Sequence, residues 1–286
     1  MGYPQADRNQ RIQQLQLLVD GLPLRGDAST SFALLAAYAS IDTRQRELLE
    51  ALRERIGPEI GVIDSHFDDS PSLLGLLGFR LRHVAGEDLD QTDLRVVTIS
   101  CPHRHARLDE IDTFRFLKRG GVIISSDRAI RLPGIARCVG HLKGRPPARA
   151  RLTQPGAGLP TSAPVWLDAG HLPVDPDTLG KCNATTLASD ALTGAPLVVM
   201  VSGREGGILH SVPHWLQAPH PELLTAVERR KLRYVPRFRA IGNSYPGVAL
   251  GEFLAQRAMI AVLIEGLARL LHIEQPAEEA RAERGK

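Results

Sequence analysis

Side chains that can act as nucleophiles, proton carriers or metal ligands follow four apolar runs of this sequence. They are Asp64, His66 and Asp68 after the first run, Cys101, His103 and His105 after the second, Ser126 and Asp127 at the end of the third, and His210 and His214 in the last. Carboxylates, imidazoles, a thiol and a hydroxyl suit acid–base, nucleophilic or metal-assisted chemistry. Their grouping is the main functional signal in the sequence.

The apolar runs have the pattern of buried β-strands. Residues 59–64, 79–84, 94–100 and 121–126 predict four strands, and helices are predicted between them, at residues 70–78 and 108–120. Strands that alternate with helices form parallel sheets covered on both faces. Because ligands bind outside the carboxyl ends of such strands, we expect the reactive side chains to converge at that edge.

The second half of the chain predicts more strands. They lie at residues 163–168, 185–189, 195–202 and 206–215, and the sequence GREG between the last two indicates a hairpin. Residues 131–163, which are rich in Pro, Gly and Arg, indicate a long basic loop inserted before these strands.

The chain divides into three predicted parts. Residues 1–57 form a helical N-terminal cap, residues 58–245 the main α/β domain, and residues 246–286 an amphipathic helix with a charged tail. The predicted fold class is α/β, with a flavodoxin-like, doubly wound, mostly parallel sheet and helical N-terminal and C-terminal extensions.

The C-terminal helix carries polar residues at helical spacing along an otherwise apolar stretch. They are Glu252, Gln256, Arg257, Glu265 and Arg269. This stripe favours an amphipathic helix over a membrane span. The apolar surface is wider than one core would cover. We therefore expect the N-terminal helix around Leu48 to Ile56 to cover part of it, and a partner protein or a second copy to cover the rest.

Charge and cysteine content narrow the class of protein. Lys and Arg total 35 against 32 for Asp and Glu, and this balance argues against nucleic acid as a partner. The three cysteines, Cys101, Cys138 and Cys182, form no C-x-x-C pair, which is typical of the reducing cytoplasm. The sequence also begins without the apolar core of a signal peptide, so we expect a cytoplasmic protein.

Each reactive cluster also has a purely structural interpretation. Asp64 and Asp68 suit helix caps, and Ser126 and Asp127 suit turns. Cys101 suits a small buried apolar residue, and His214 suits a histidine of the core. The histidines at 103 and 105 flank an arginine and suit a solvated basic loop as well as a metal site.

The order of motifs resembles one known superfamily. A strand, an L-x-x-L-L helix and a second strand appear as GVIDSHFDDSPSLLGLLGFRLRHV, and a helix ending in K-R-G-G before an apolar strand appears in VVTISCPHRHARLDEIDTFRFLKRGGVIISSD. A glycine-rich turn, a strand and a histidine follow as SGREGGILHSVPHW. Residues 60–215 thus resemble the class I glutamine amidotransferase-like superfamily, in particular its non-amidotransferase, trehalose-utilisation-type branch. The resemblance implies the flavodoxin-like sheet and a site at its carboxyl edge.

The sequence departs from that superfamily where the amidotransferase reaction takes place. Amidotransferases place a cysteine in a G-x-C-x-G turn after the fourth strand, whereas this chain has Ile124-Ser125-Ser126-Asp127-Arg128 there. The strained turn that exposes a nucleophile needs small neighbours. The family histidine is followed two residues later by glutamate, but His214 is followed by Trp215 and Leu216. An H-P-E sequence occurs only later, at residues 220–222. We therefore expect no glutaminase activity.

Three functional hypotheses remain, in order of preference. The first is a non-enzymatic, accessory amidotransferase-like domain that binds a small molecule or assembles with a protein partner or a second copy through its terminal helices. The second is a hydrolase dependent on a divalent metal such as zinc, with ligands drawn from Asp64, His66, Asp68, His103, His105 and His214. The third is a serine hydrolase with Ser126, His214 or His220, and Glu222. The candidates for a catalytic role are Cys101, Ser126 and His214, and those for ligand binding are Asp64, His66, Asp68, Ser126, Asp127 and His214.

Overall fold

The computed structural model describes residues 28–57, 59–63, 70–101, 111–142, 149–152, 165–167, 172–191, 193–204, 206–215 and 250–273. The helices in these segments are α1 (Ala28–Ala39), α2 (Thr43–Ile56), α3 (Ser70–Leu76), α4 (Thr113–Lys118), α5 (Pro133–Val139), α6 (Pro176–Leu179) and α7 (Leu250–Leu270). The strands are β1 (Glu59–Ile63), β2 (Arg80–His83), β3 (Val96–Ser100), β4 (Val122–Ser126), β5 (Arg149–Leu152), β6 (Val165–Trp166), β7 (Ala184–Asp190), β8 (Pro196–Ser202) and β9 (Gly207–Ser211).

The strands form one mixed sheet in the order β2-β1-β3-β4-β9-β8-β7-β5-β6. The five strands β2, β1, β3, β4 and β9 pair parallel with one another, which confirms the parallel arrangement predicted for the first half of the chain. The other strands pair antiparallel. Strands β3 and β4 are buried along their whole length, as continuous apolar runs in a covered sheet should be.

The segment predicted as a basic loop contains regular structure. Helix α5 and strand β5 both lie within residues 131–163, so the loop prediction was wrong for these parts, and residues 143–148 and 153–164 lie outside the described segments. Pro133 is the first residue of α5, where a missing N–H breaks no helical hydrogen bond. The proline that indicated a loop therefore begins a helix.

Two other predicted elements are shorter than expected. Helix α4 begins at Thr113, because the Asp112 side chain accepts a hydrogen bond from the Arg115 N–H at 3.0 Å and caps it. Strand β9 ends at Ser211, so residues 212–215, which were predicted to belong to this strand, lie outside it. Pro213 follows soon after and cannot donate to a β-ladder. His214 consequently lies beyond the end of β9, whereas His210 lies within it.

The N-terminal helices pack onto the main domain. Helix α2 buries Leu48, Leu49, Leu52 and Ile56 on one face, as predicted. Its Arg53 donates from Nε and Nη2 to the carbonyl oxygen of Leu77, at 2.8 and 2.6 Å, just after the end of α3. These bonds satisfy a carbonyl that the end of a helix leaves without an intrahelical partner.

Helix α7 lies between the sheet and the N-terminal helices. It contacts β6 to β9 on one side and α1 and α2 on the other, which confirms that the helix ending at Ile56 covers part of it. All residues from 252 to 268 are buried within this single chain. The apolar surface that suggested a second chain is therefore already covered. None of the described helices has the length and apolar character needed to cross a membrane.

The polar stripe of α7 is buried instead of solvated. Glu252, Gln256, Arg257 and Glu265 are each no more than 6% exposed. Arg257 donates to the Gln45 side chain and lies 4.0 Å from the Asp42 carboxylate. Asp42 and Gln45 form the capping box of α2, so a guanidinium on one helix is fixed at the first turn of another.

We expect Arg257→Met to destabilise the protein by about 2–3 kcal/mol. Removing one partner of a fully buried pair costs about 3–5 kcal/mol, and the effect is smaller here because Asp42 is one-third exposed. Chemical denaturation measures the difference. Arg46→Met is the matched control, because Arg46 lies on the exposed side of α2 and should cost below about 0.5 kcal/mol. Equal effects of the two substitutions would contradict a role for the buried guanidinium.

Candidate functional site

The ends of three adjacent parallel strands bring the candidate residues together. β3, β4 and β9 are neighbours in the sheet, and their last residues, Ser100, Ser126 and Ser211, are in register. Cys101 directly follows β3, Asp127 directly follows β4, and His214 lies three residues beyond β9. The convergence at the carboxyl edge is thus found for these three residues.

The backbone turns sharply at two of these positions. Cys101 has φ of 27° and Asp127 has φ of 43°, in the left-handed region that residues other than glycine rarely adopt. The Cys101 N–H donates to the Ser126 carbonyl at 3.3 Å, which holds the two turns side by side. Such strained positions cluster at functional sites, and they persist only where surrounding contacts enforce them.

The three side chains form a thiol–carboxylate–imidazole group, here named the edge cluster (Cys101, Asp127 and His214). The Cys101 thiol donates to Asp127 Oδ2 at 3.2 Å, and His214 Nε2 lies 3.8 Å from the same oxygen. The three ligand atoms all lie within 4.8 Å of one another. Cys101 and Asp127 are fully buried, and the His214 side chain is 14% exposed.

Burial raises the pKa of the Cys101 thiol above its ordinary value. A hydrogen bond with His214 opposes this shift, whereas the negative charge of Asp127 adds to it. The thiol therefore stays protonated near neutral pH. Since the thiolate is the nucleophilic form of cysteine, Cys101 alone is a weak nucleophile.

A buried tryptophan positions the segment that carries His214. Trp215 is fully buried, and its Nε1–H donates to the carbonyl oxygen of Ser125 in β4 at 3.0 Å. This bond fixes the residue next to His214 against the strand that precedes Asp127. The distance between imidazole and carboxylate thus depends on Trp215 as well as on β9.

His210 is the histidine of the core. Its ring is fully buried, and Nδ1 lies 3.0 Å from the Ser125 hydroxyl. Burial lowers the pKa of His210 to about 3, although the charge of Asp127 opposes the shift. His210 is consequently neutral at physiological pH. The structural interpretation considered for His214 thus describes His210, and His214 lies in the edge cluster.

Ser126 is held in the sheet. It is the last residue of β4, has extended backbone angles and is fully buried, and the left-handed position belongs to Asp127 one residue later. On the neighbouring strand β3, the hydroxyls of Thr98 and Ser100 bond to each other and to the hydroxyl of Ser70 in α3, with 2.9 Å between Ser70 and Thr98. The edge of the sheet is therefore rich in buried hydroxyls.

The other predicted site residues cannot be placed. Seven of them lie outside the described residues, namely Asp64, His66, Asp68, His103, His105, His220 and Glu222. The sequence contained both Cys101 and Asp127 as candidates, but it gave no indication that they contact each other. The one available signal was that each residue directly follows a fully apolar strand.

Comparisons with known proteins identify no family. No family model matches the chain, and no curated protein is similar to it. Among solved structures, it is similar to one described as MppP soaked with the product 2-ketoarginine, with 14% identity and a TM-score of 0.23 over 94% of this chain and 70% of that one. A likeness this weak carries no argument about fold or function.

Proposed function

We propose that this chain is an amidotransferase-like accessory domain that lacks glutaminase chemistry and binds a ligand at the edge cluster. The observation that carries the proposal is the position of Asp127. A buried carboxylate occupies the left-handed turn after β4, one residue beyond Ser126, which matches the position of the nucleophilic cysteine in the amidotransferases that the sequence resembles. A carboxylate held by a thiol and an imidazole suits binding of a cation or a hydrogen-bond donor.

The strand order supports a flavodoxin-like version of the fold. The parallel strands β2-β1-β3-β4-β9 follow the 2-1-3-4-5 order of flavodoxin-like sheets if β9 is counted as the fifth strand. Ligands of such sheets bind outside the carboxyl ends, near the strand where the order reverses. Cys101 follows β3, which borders that point, so the edge cluster lies where a ligand is expected.

The metal-dependent hydrolase is the second candidate, with a different set of ligands. The observation in its favour is that one thiol, one carboxylate and one imidazole of the edge cluster lie within 4.8 Å of one another. A metal held there would supply a nucleophile in the form of an acidified water. Ser126 gains no comparable support as a nucleophile, because it is buried in extended backbone.

The proposal also covers the binding partner and the cellular location of this chain. The accessory role includes a small-molecule ligand, or assembly with a protein or a second copy; helix α7 is already covered within the chain, so its residues 252–268 would not supply the surface for assembly. The cysteines at 101, 138 and 182 are all free thiols, which is consistent with a cytoplasmic protein.

The purified protein should release no ammonia from glutamine above the uncatalysed rate, and Cys101→Ser should leave that result unchanged. In EDTA, the Cys101 thiol should react slowly with iodoacetamide, because burial and Asp127 keep it protonated. Asp127→Asn should accelerate the reaction, since it removes the negative charge while asparagine tolerates the left-handed backbone.

These rates are measured in a Cys138→Ser/Cys182→Ser background, so that Cys101 is the only thiol that reacts. Asp112→Asn is the control for Asp127→Asn, because Asp112 caps α4 and has no part in the edge cluster. Ammonia release that disappears in Cys101→Ser would contradict the proposed function. Rapid alkylation of Cys101 at neutral pH would contradict it equally.

A further inference from the structure

We propose that the edge cluster is a zinc site, in which Cys101 Sγ, Asp127 Oδ2 and His214 Nε2 supply three ligands and leave a fourth coordination position to water or a substrate. The inference rests on the proposed ligand site at the carboxyl edge, and it names the ligand. Sulfur, nitrogen and oxygen donors in one group favour zinc over magnesium or calcium, which take oxygen ligands.

The separations of the ligand atoms support tetrahedral coordination. Usual zinc bond lengths place the sulfur and oxygen ligands about 3.5 Å apart, and the nitrogen and oxygen ligands about 3.3 Å apart. In this chain the sulfur–oxygen distance is 3.2 Å and the nitrogen–oxygen distance is 3.8 Å. Shifts of about half an ångström convert one arrangement into the other, and such shifts are within the reach of side-chain rotation.

The charges of the ligands match a divalent cation. When zinc binds, the Cys101 S–H bond breaks, the proton leaves to solvent and the sulfur lone pair forms the bond to zinc, with no change of oxidation state. The resulting thiolate and the Asp127 carboxylate together neutralise the charge of the ion. Neutrality matters because both residues are fully buried, where an unbalanced charge is costly.

Hydrogen bonds around the edge cluster make it rigid before metal binds. The bond from the Cys101 N–H to Ser126 holds the turns after β3 and β4 together, and Trp215 holds the segment that carries His214. Among the described residues the edge cluster offers three protein ligands, the number found in catalytic zinc sites, whereas structural zinc has four protein ligands. The site therefore suits activation of a bound water or a substrate carbonyl.

Titration of the metal-free, full-length protein with Co²⁺ tests the ligands directly. Cobalt replaces zinc in tetrahedral sites, and its bond to a thiolate gives a charge-transfer band in the near ultraviolet. We expect this band to saturate at one equivalent and to disappear when one equivalent of Zn²⁺ is added. The band should persist in Cys138→Ser/Cys182→Ser and be absent from Cys101→Ser.

Zinc affinity, measured by competition with a chromophoric chelator, gives a second test. Cys101→Ser should weaken it at least about 100-fold, because loss of an outer-shell partner alone costs about 10–100-fold. Asp127→Asn and His214→Gln should each weaken it at least about 10-fold, while Asp112→Asn, which changes a carboxylate that caps α4 outside the edge cluster, should have little effect. Circular dichroism identifies any variant that fails to fold, and the band in the remaining variants then decides the question.

Two results would overturn the inference. One is the absence of a thiolate band at one equivalent of cobalt. The other is a band that survives in Cys101→Ser and is lost in Cys138→Ser/Cys182→Ser, which would assign the metal to the other thiols. The proposed function fails by different readouts, namely ammonia release or rapid alkylation, so the two failures are distinguishable.

Discussion

A chain that lacks residues 246–286 is expected to lose its cooperative fold. Helix α7 buries every residue from 252 to 268 between the sheet and helices α1 and α2. Burial of one large apolar side chain contributes about 1.5–3 kcal/mol. The deletion removes the apolar side chains that cover the sheet and helices α1 and α2, and leaves those faces exposed; the removed residues include Phe253, Leu254, Met259, Ile260, Leu263, Ile264 and Leu267. On this scale the seven side chains contribute about 10–20 kcal/mol, which is as large as the whole stability of about 5–15 kcal/mol that domains possess.

Two comparisons make the truncation informative. Deletion of residues 274–286 alone removes a charged segment that follows α7, and it should leave solubility and the unfolding transition unchanged. Gly266→Ala perturbs the same interface more gently. A methyl group there would lie 2.7 Å from Leu209 of β9, so we expect a loss of about 1–3 kcal/mol.

Gly180→Ala is the matched control for Gly266→Ala, because its added methyl group meets nothing closer than 3.5 Å. Solubility, circular dichroism and thermal unfolding measure all four variants. A chain without residues 246–286 that stays soluble and unfolds cooperatively would show that α7 is not part of the core.

The parallel half of the sheet could be predicted because β1, β3, β4 and β9 are short, mostly apolar runs that end at or just before polar residues, and β2 lies in a segment of alternating polar and apolar residues. The directions of β7 and β8 could not be predicted from the sequence, since an apolar run has the same pattern in a parallel or an antiparallel pair. Helix α5 was missed for a related reason. Proline and glycine predict loops on average, but Pro133 stands at a helix start and Gly140 just after a helix end.

The polar stripe of α7 shows a second limit of sequence periodicity. Spacing predicted correctly that Glu252, Gln256 and Glu265 belong to one helix with the apolar residues. It could not show what covers each face, because the covering helices α1 and α2 lie more than 190 residues away along the chain. The stripe was therefore interpreted as exposed, whereas most of it is buried, and Arg257 within it donates to Gln45 in the first turn of α2.

The candidate site was predictable in its parts and not in its contacts. The edge of the sheet followed from the strand ends, and Cys101, Asp127 and His214 all belonged to the predicted clusters. The contact between Cys101 and Asp127 joins residues 26 apart. It depends on the adjacency of β3 and β4 and on two left-handed backbone positions. The residue types at these positions do not predict that conformation.

His210 is expected to make the protein sensitive to acid. Burial lowers the pKa of His210 to about 3 in the folded protein, while an unfolded histidine has its ordinary value of 6.5. Above pH 6.5 both states are neutral at this residue, and it adds no pH dependence. Below that value the unfolded state binds a proton that the folded state does not, so the free energy of unfolding falls as pH decreases.

The slope is about 1.4 kcal/mol per pH unit, which amounts to a loss of about 3 kcal/mol between pH 6.5 and pH 4.5. His210→Asn cannot be protonated, and its amide can still bond to the Ser125 hydroxyl. It should lower stability by a roughly constant amount and flatten the pH dependence in this window. His141→Asn makes the same change at an exposed position and should keep the slope of the native protein. Urea denaturation at half-unit steps from pH 7 to pH 4.5 measures the slope of unfolding free energy against pH for the native protein and the two variants. If His210→Asn has the same slope as the native protein, His210 is not the acid-sensitive group.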